Sequence, residues 1–254
     1  MFCSFKRFTT YNNIDARKRA MRKKKMKIMT FNTQHCKNYK EGHIDFEIMA
    51  KTILRFDPDV VGLNEMRGKS DAPEYEEQVK ILSELTGMKY YYFAPAINRK
   101  GPYGNGLLSK IPLVSCENIE IPDPEPKIYP WYETRCILKA TLENGVTVLA
   151  THFGLNPDEQ QMAVKLVLEN LKDEKCILMG DFNITPDNPL LEQINDKMQD
   201  TAIKFEAEKL SYPSDNPVKK IDYIFVSHDF KIVSADIPSV VASDHRPHVA
   251  CVEI

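Results

Sequence analysis

Short apolar runs rich in β-branched residues, bounded by turn residues, recur along most of the chain. They predict strands at residues 26–32, 59–64, 89–94, 106–109, 113–121, 135–142, 146–152, 175–179, 221–226, 230–236 and 249–252. The Asn144-Gly145 pair between two of these runs is typical of a hairpin turn.

Four segments instead have apolar residues near helical spacing, at residues 43–56, 72–86, 157–171 and 188–195. Strands outnumber helices, and hairpins join several strands, which disfavours a strictly alternating parallel fold. We therefore expect an α/β fold in which two mixed β-sheets pack face to face with helices outside, a four-layer α/β sandwich.

The charge is distributed unevenly along the 254 residues. Residues 1–25 contain nine Lys/Arg and one Asp, a net charge of +8, which leaves −10 for the rest of a chain whose total is −2. A protein that binds duplex DNA usually presents a basic face, so the negative charge of the residues after 25 argues against that substrate. The chain has no apolar stretch of the roughly 18 residues that a membrane helix needs, and we expect no transmembrane segment.

The basic segment shows neither helical nor strand periodicity. We interpret residues 1–25 as a disordered N-terminal extension and residues 26–254 as the catalytic domain, with a polyanion-binding arm as the alternative for the extension. The six cysteines form no CxxC pair and no disulfide framework. We therefore expect a reducing compartment, the cytoplasm, and a monomeric protein.

Polar residues follow many of the predicted strands, where the loops of an α/β protein converge on one edge. Carboxylate and amide oxygens with few soft ligands suit Mg²⁺, or Mn²⁺, and histidines beside carboxylates suit proton transfer. Together they indicate hydrolytic attack by water on phosphorus. The residues are Asn32, Glu65, His152, Asp181, Asn183, Asp222 and Asp244.

Six segments in a fixed order also resemble the motifs of the endonuclease/exonuclease/phosphatase (DNase I-like) superfamily, in particular its small bacterial metal-dependent hydrolases. The resemblance runs from about Met26 to the C-terminus, and GDFN followed by SDH is its most specific part. The segments are Thr30-Phe31-Asn32, PDVVGLNE at 58–65, Thr151-His152-Phe153, Gly180-Asp181-Phe182-Asn183, Ile221-Asp222-Tyr223 and Ser243-Asp244-His245.

The resemblance implies a role for each residue. Glu65 would be the principal Mg²⁺ ligand, with Asn32 adjacent and Asp244 contributing directly or through water. Asp181 would orient or deprotonate the attacking water, and Asn183 would hold that aspartate or the phosphate. His245, oriented by Asp222, would contact the scissile phosphate, and His152 would act near the leaving group. Arg135 and Asn105 would face the substrate phosphate.

One departure from the family pattern follows Asn32, where many nucleases carry an acidic residue or an arginine and this chain has Thr33, Gln34 and His35. His35 is interpreted as structural or solvated. Residues 99–105 are predicted to form a hairpin turn, with a substrate-recognition loop as the alternative. Trp131 and its neighbours in residues 122–132 either pack a loop against the body or stack on a substrate ring.

The sequence thus predicts a Mg²⁺-dependent phosphodiesterase. Its substrate is a phosphoester in a small molecule, a lipid head group or a nucleic acid. Two alternatives stay open: a nuclease acting on single-stranded or damaged DNA, and a catalytically inactive binding protein of the same fold.

Overall fold

A computed structural model describes residues 24–72 and 75–254. Most of the predicted N-terminal extension therefore lies outside the described residues. The first strand begins at Lys25, one residue before the predicted boundary of the domain.

The first sheet has six strands in the order β11-β12-β1-β2-β4-β3. β1 and β2 are parallel, and the other neighbours are antiparallel. The strands are β1 (Lys25–Asn32), β2 (Val60–Arg67), β3 (Tyr90–Asn98), β4 (Pro102–Ser109), β11 (Lys231–Asp236) and β12 (His248–Glu253).

The second sheet also has six strands, in the order β5-β6-β7-β8-β10-β9, and its one parallel pair is β7 with β8. The predicted turn at Asn144-Gly145 joins β6 to β7, and Gly145 takes a positive φ of 83°. The strands are β5 (Leu113–Ile121), β6 (Arg135–Leu142), β7 (Thr147–His152), β8 (Cys176–Asp181), β9 (Gln199–Asp200) and β10 (Asp222–Val226).

Three hydrophobic clusters separate four layers of structure. The central cluster lies between the sheets and includes Ile28, Leu138 and Met179, all buried. The helices α1 (Phe46–Phe56) and α2 (Gln78–Thr86) cover the outer face of the first sheet, and α3 (Pro157–Asn170) and α4 (Leu190–Asn195) cover that of the second. The predicted four-layer α/β sandwich is thus confirmed. Among the described residues, no helix has the length and apolar character needed to cross a membrane.

The boundaries of several strands and helices differ from the predicted ones. β3 ends four residues later and β4 begins four residues earlier than predicted, so the hairpin turn predicted at residues 99–105 spans only residues 99–101. α1 begins three residues later than predicted, because the Asp45 carboxylate accepts a hydrogen bond from Ile48 N at 3.0 Å and caps the helix there. α2 begins only at Gln78, six residues late, and α4 begins at Leu190. β9 and the 3-10 helix Thr201–Lys204 were not predicted. These two elements are too short for hydrophobic periodicity to reveal them.

Candidate active site

The parallel pairs bring the first motif residues to one edge of the sandwich. Asn32 ends β1 opposite Asn64 of β2, and His152 ends β7 opposite Asp181, which ends β8. Because the sheets pack face to face, the carboxyl ends of both pairs meet. Asn32 of the first sheet donates from Nδ2 to Asp181 Oδ2 of the second at 3.0 Å.

Glu65 lies inside β2 rather than past its end, which corrects the predicted strand boundary. The register with β4 shifts between Leu63 and Met66, and Glu65 takes a positive φ of 61° in this bulge. Its backbone carbonyl accepts from His35 N at 3.1 Å, and its carboxylate accepts from Asn32 Nδ2 at 3.1 Å. The bulge therefore turns the Glu65 side chain into the site.

Asp181 is the buried centre of the site. Its Oδ2 accepts from Asn32 and lies 3.4 Å from His152 Nε2 and 3.6 Å from His245 Nε2. Gly180 precedes it with φ 148°, and a Cβ at that position would lie 1.8 Å from the carbonyl oxygen of Thr151. Glycine is thus required for β8 to approach β7 closely enough to place Asp181 there.

His245 and Asp222 form the closest ion pair in the site. His245 Nδ1 donates to Asp222 Oδ2 at 2.9 Å, which leaves Nε2 facing Asp181. Asp222 is the first residue of β10, which runs antiparallel to β8, so it lies at the start of its strand and not past the end of one as predicted. Its other oxygen, Oδ1, is buried without a hydrogen-bond partner.

His152 and Asn183 form the second histidine pair. Asn183 Nδ2 lies 3.1 Å from His152 Nε2 and donates to the backbone carbonyl of Phe153 at 3.0 Å. Asn183 N also donates to Asp181 Oδ1 at 3.0 Å, and the residue holds a positive φ of 53°. Asn183 therefore fixes the aspartate and the histidine at once.

Their surroundings shift the pKa values of Asp181, His245 and His152 in different directions. Burial raises the pKa of Asp181, and the charge of His245 opposes this. Burial alone would lower the pKa of His245, but Asp222 and Asp181 outweigh it and raise it to about 10. Burial, with Arg135 and His245, holds the pKa of His152 well below its ordinary value. At neutral pH the two histidines thus differ in charge, with His245 cationic and His152 neutral.

Arg135 and Asn105 were both expected near the substrate phosphate, but only Arg135 lies on the cleft. Arg135 lines the cleft, where its Nη1 donates to Glu133 Oε1 at 3.1 Å. Asn105 is not among the residues that line the cleft, because its amide is used in the interior. Its Nδ2 donates to the backbone carbonyl of Cys136 at 2.9 Å, and its Oδ1 accepts from Asn64 Nδ2 at 2.8 Å. Direct contact between Asn105 and phosphate does not fit this position.

Asn64 is a residue of the site for which the sequence suggested no role. Its Oδ1 accepts from Asp181 N at 3.0 Å, and its Nδ2 donates to Thr151 O at 2.8 Å as well as to Asn105. Asn64 thus connects the first sheet to the two central strands of the second. A polar residue at the end of the apolar run VVGLN was the available signal, since a buried amide needs partners.

His35 is the second residue that the sequence analysis missed. Residues Gln34, His35 and Cys36 all take positive φ values after β1, and this turn brings His35 Nε2 within 3.7 Å of Glu65 Oε2. Its ring also packs edge-on against Tyr103, with centroids 5.4 Å apart. Burial, with Arg67, lowers the pKa of His35 to about 4. In the sequence, the only sign that His35 lies in the site was its position three residues after Asn32.

Most of these side chains surround a cleft with a cavity volume of about 960 Å³. Glu65, His152, Asp181, Asn183, Asp244 and His245 line it directly. Asn32 and Asp222 lie beneath the lining, and both are fully buried. A buried aspartate, a cationic histidine and a neutral histidine around one cleft can accept a proton and stabilise a developing negative charge.

Comparison with solved structures shows the same fold in proteins of low sequence identity. An endonuclease/exonuclease/phosphatase from Beutenbergia cavernae DSM 12333 is 23% identical with a TM-score of 0.72, over 92% of this chain and 72% of that one. One from Bacteroides vulgatus is 18% identical with a TM-score of 0.72, over 91% and 100%. A mannosyl-6-phosphatase from Bacteroides thetaiotaomicron VPI-5482 is 16% identical with a TM-score of 0.72, over 90% and 100%.

The sequence matches none of the curated proteins with which it was compared. The family model described as Endonuclease/Exonuclease/phosphatase family, however, matches residues 29–245, which include all of the motifs named above. The chain belongs to the endonuclease/exonuclease/phosphatase family of phosphoester hydrolases.

Proposed function

We propose that the protein is a Mg²⁺-dependent phosphodiesterase, in which water attacks phosphorus in the cleft. The observation that carries this proposal is the position of Asp181 Oδ2, within 3.6 Å of Asn32 Nδ2, His152 Nε2 and His245 Nε2. A carboxylate oxygen at such a meeting point, with a raised pKa, suits acceptance of a proton from a water molecule near neutral pH.

The donor set fits a magnesium ion. Glu65 and Asp244 both line the cleft, and burial together with the charge of Asp244 raises the pKa of Glu65. Two carboxylates that repel each other across a cleft suit a hard cation, and Mg²⁺ usually takes one or two carboxylates from the protein. When bound there, Mg²⁺ supplies positive charge to the phosphoryl oxygens.

A second cluster is less suited to hold the ion. Ligand atoms of Asp181, Asp222 and His245 lie within 4.8 Å of one another. The Asp222 and His245 atoms, however, are already joined by a hydrogen bond of 2.9 Å. We therefore assign Glu65 and Asp244 to the metal and keep the cluster for proton transfer and charge stabilisation.

Asn32 fits a supporting role better than the ligand role expected from the sequence. Its Oδ1 accepts from Gln34 N at 3.1 Å, and its Nδ2 faces the carboxylates of Glu65 and Asp181. A metal ligand would have to offer the oxygen. In our proposal Asn32 orients the two carboxylates and leaves coordination to them.

The remaining residues act on the substrate. The cationic Nε2 edge of His245 stabilises the charge that develops on the phosphoryl group, while Asp222 holds the ring. Arg135 adds a second positive charge on the cleft wall. His152 is neutral, and its Nε2 lies 3.4 Å from Asp181 Oδ2, a position that supports a role next to the leaving group.

Two supporting inferences concern the surroundings of the enzyme. The five cysteines in the described residues are free, which supports a reducing compartment, and we propose the cytoplasm. We propose that the protein acts as a monomer, because Asp181, His152 and His245 already meet within one fold.

The test is hydrolysis of a chromogenic phosphodiester and of the matching monoester, each with Mg²⁺, Mn²⁺ or EDTA. We expect cleavage of the diester with Mg²⁺ and its loss in EDTA. Asp181→Asn should lower kcat at least about 10²-fold, because general-base contributions have that size. Asp173→Asn is the matched control, since this exposed aspartate precedes the same strand outside the cleft.

Each alternative gives a different result. Cleavage of the monoester alone would exclude a diesterase and direct the search to sugar phosphates. Cleavage restricted to single-stranded or damaged DNA would favour the nuclease. Undiminished turnover in Asp181→Asn would remove this residue from the mechanism. A complete lack of hydrolysis, with Mg²⁺ still bound in a calorimetric titration, would indicate an inactive binding protein.

A further inference from the structure

The cleft extends beyond the residues assigned here to the reaction. Its volume of about 960 Å³ is at the upper end of the range for sites that hold a drug-sized ligand, about 300–1,000 Å³. Arg67 of β2, Ile97 of β3, and Arg99 and Lys100 of the β3–β4 turn line this part. The cleft thus has room, and a second set of side chains, for more of the substrate than the scissile phosphoester.

The loop between β5 and β6 holds an exposed tryptophan, Trp131, next to Arg99, which lines the cleft. Trp131 is 59% exposed, yet its backbone carbonyl accepts from Asn156 Nδ2 at 2.7 Å. The next residue, Tyr132, is buried, and its hydroxyl donates to Asp158 Oδ2 at 2.6 Å and accepts from the backbone N–H groups of Ile128 and Tyr129. The backbone that carries the indole is therefore held in place while the ring is exposed, as expected of a contact surface.

Arg99 joins this tryptophan to the cleft. Its guanidinium carbon lies 5.4 Å from the centroid of the Trp131 ring, a cation–π distance, and the same arginine lines the cleft next to Lys100. Leu155, which is 65% exposed, lines the cleft beside Asn156, the residue that holds Trp131. An exposed aromatic ring thus lies beside Arg99, and Lys100 and Leu155 line the same cleft, in a protein whose body is acidic.

We propose that Trp131, Arg99 and Lys100 form a second subsite, which binds a nucleotide-sized part of the substrate, an aromatic ring carrying a phosphate. The ring packs on the indole, and the phosphate lies between the guanidinium and the ammonium group. This inference rests on the proposed function, because Arg99 and Lys100 of the subsite line the same cleft and the subsite selects among phosphodiesters. It assigns the choice of substrate to residues outside the reaction centre.

Binding is measurable apart from hydrolysis, because Trp131 is the only tryptophan in the sequence. We would titrate the full-length protein in EDTA with adenosine monophosphate, adenosine or inorganic phosphate and follow tryptophan fluorescence. The monophosphate should give a saturable change at a concentration at least about tenfold below that needed by either component, since ring and phosphate are linked.

The variant Arg99→Gln/Lys100→Gln should remove this advantage of the monophosphate. Lys51→Gln/Arg55→Gln is the matched control, which makes the same change of charge on exposed side chains of α1 and should leave the titration unaltered. Equal affinities for the monophosphate and its components would overturn the proposal. So would a monophosphate affinity that the cleft variant does not change.

Hydrolysis supplies the second readout and separates the two proposals. A dinucleotide with a terminal phosphate should be cleaved with a kcat/KM at least about tenfold above that of the same dinucleotide without it, and the cleft variant should lose that preference. Cleavage of both without preference would reject the subsite alone. If neither is cleaved, the proposed hydrolysis fails, and the fluorescence titration still decides whether the subsite exists.

Discussion

Three buried side chains of the cleft, Asp181, His152 and His245, are within ion-pair distance, yet their environments drive their protonation apart. Asp222 raises the pKa of His245 and keeps its ring cationic, whereas burial keeps His152 neutral. Burial also raises the pKa of Asp181, whose Oδ2 lies within 3.6 Å of Nε2 of both rings. Groups whose pKa values are pushed in opposite directions mark the acids and bases of a site. The residue names alone do not carry this information, since it depends on which side chains are buried together.

Lys220 allows a test of how the burial of a single lysine changes stability with pH. Its ammonium group is buried, lies 3.2 Å from Asp200 Oδ2 and sits 3.3 Å from the centroid of the Tyr223 ring. Burial lowers its pKa from 10.5 to about 8, although Asp200 opposes the shift. Between these two values the unfolded chain holds the proton and the folded chain does not. Stability should therefore rise with pH over this window.

The measurement is urea unfolding of the wild type and of Lys220→Met at about pH 7 and about pH 10. We expect the free energy of unfolding of the wild type to rise relative to that of the variant as pH rises, by at most about 3 kcal/mol for a pKa shift of this size. Lys219→Met is the control, and should show no such gain because that side chain is exposed. A difference between wild type and Lys220→Met that stays constant with pH would contradict the prediction.

At the scale of elements, the hydrophobic pattern predicted the central strands because burial on both faces makes them continuous apolar runs. β8, for example, was recognised from Cys176, Ile177, Leu178 and Met179, all buried. The pattern could not give the bulge that turns Glu65 inward, since a bulge depends on the register with β4. It also could not give the start of α2, where no side-chain cap marks the first turn.

Asn64 allows a test of how the elements are joined. Replacing it with leucine, which has similar volume and no polar group, leaves Asp181 N, Thr151 O and Asn105 Oδ1 without this partner in the interior. Each buried group left unsatisfied costs about 1–3 kcal/mol, so we expect Asn64→Leu to lose at least about 3 kcal/mol in urea unfolding. The folded variant should also lose kcat, because the backbone of Asp181 is released.

Asn195→Leu is the control for this change, because Asn195 is exposed at the end of α4. Its effect should stay within about 0.5 kcal/mol, as for most surface substitutions. If Asn64→Leu loses no more free energy of unfolding than this control, the contact between the sheets does not depend on Asn64.

At the scale of the whole molecule, the site exists only because two sheets face each other. Asn32 and Asp181 are 149 residues apart in the chain, and their hydrogen bond crosses between the sheets. Sequence pattern predicted two mixed sheets, and the ordered motifs identified the family, but neither gave the distances between particular side chains. This is why Asp181 and His245 were expected in the site, while the interior position of Asn105 and the contact of His35 with Glu65 were not.

The division between extension and domain is a prediction for the whole chain. The described fold begins with β1, whose Lys25 and Met26 pair with Glu253 and Val252 of β12. Removing residues 1–23 should therefore leave the melting temperature within about 2 °C of that of the full chain, since no strand residue is lost. Removing residues 1–27 should lower it by several degrees, because Met26 is buried and this deletion shortens β1. A loss of more than about 4 °C in the shorter deletion, which corresponds to roughly 1 kcal/mol or more, would mean that the basic segment packs on the domain and that the boundary is wrong.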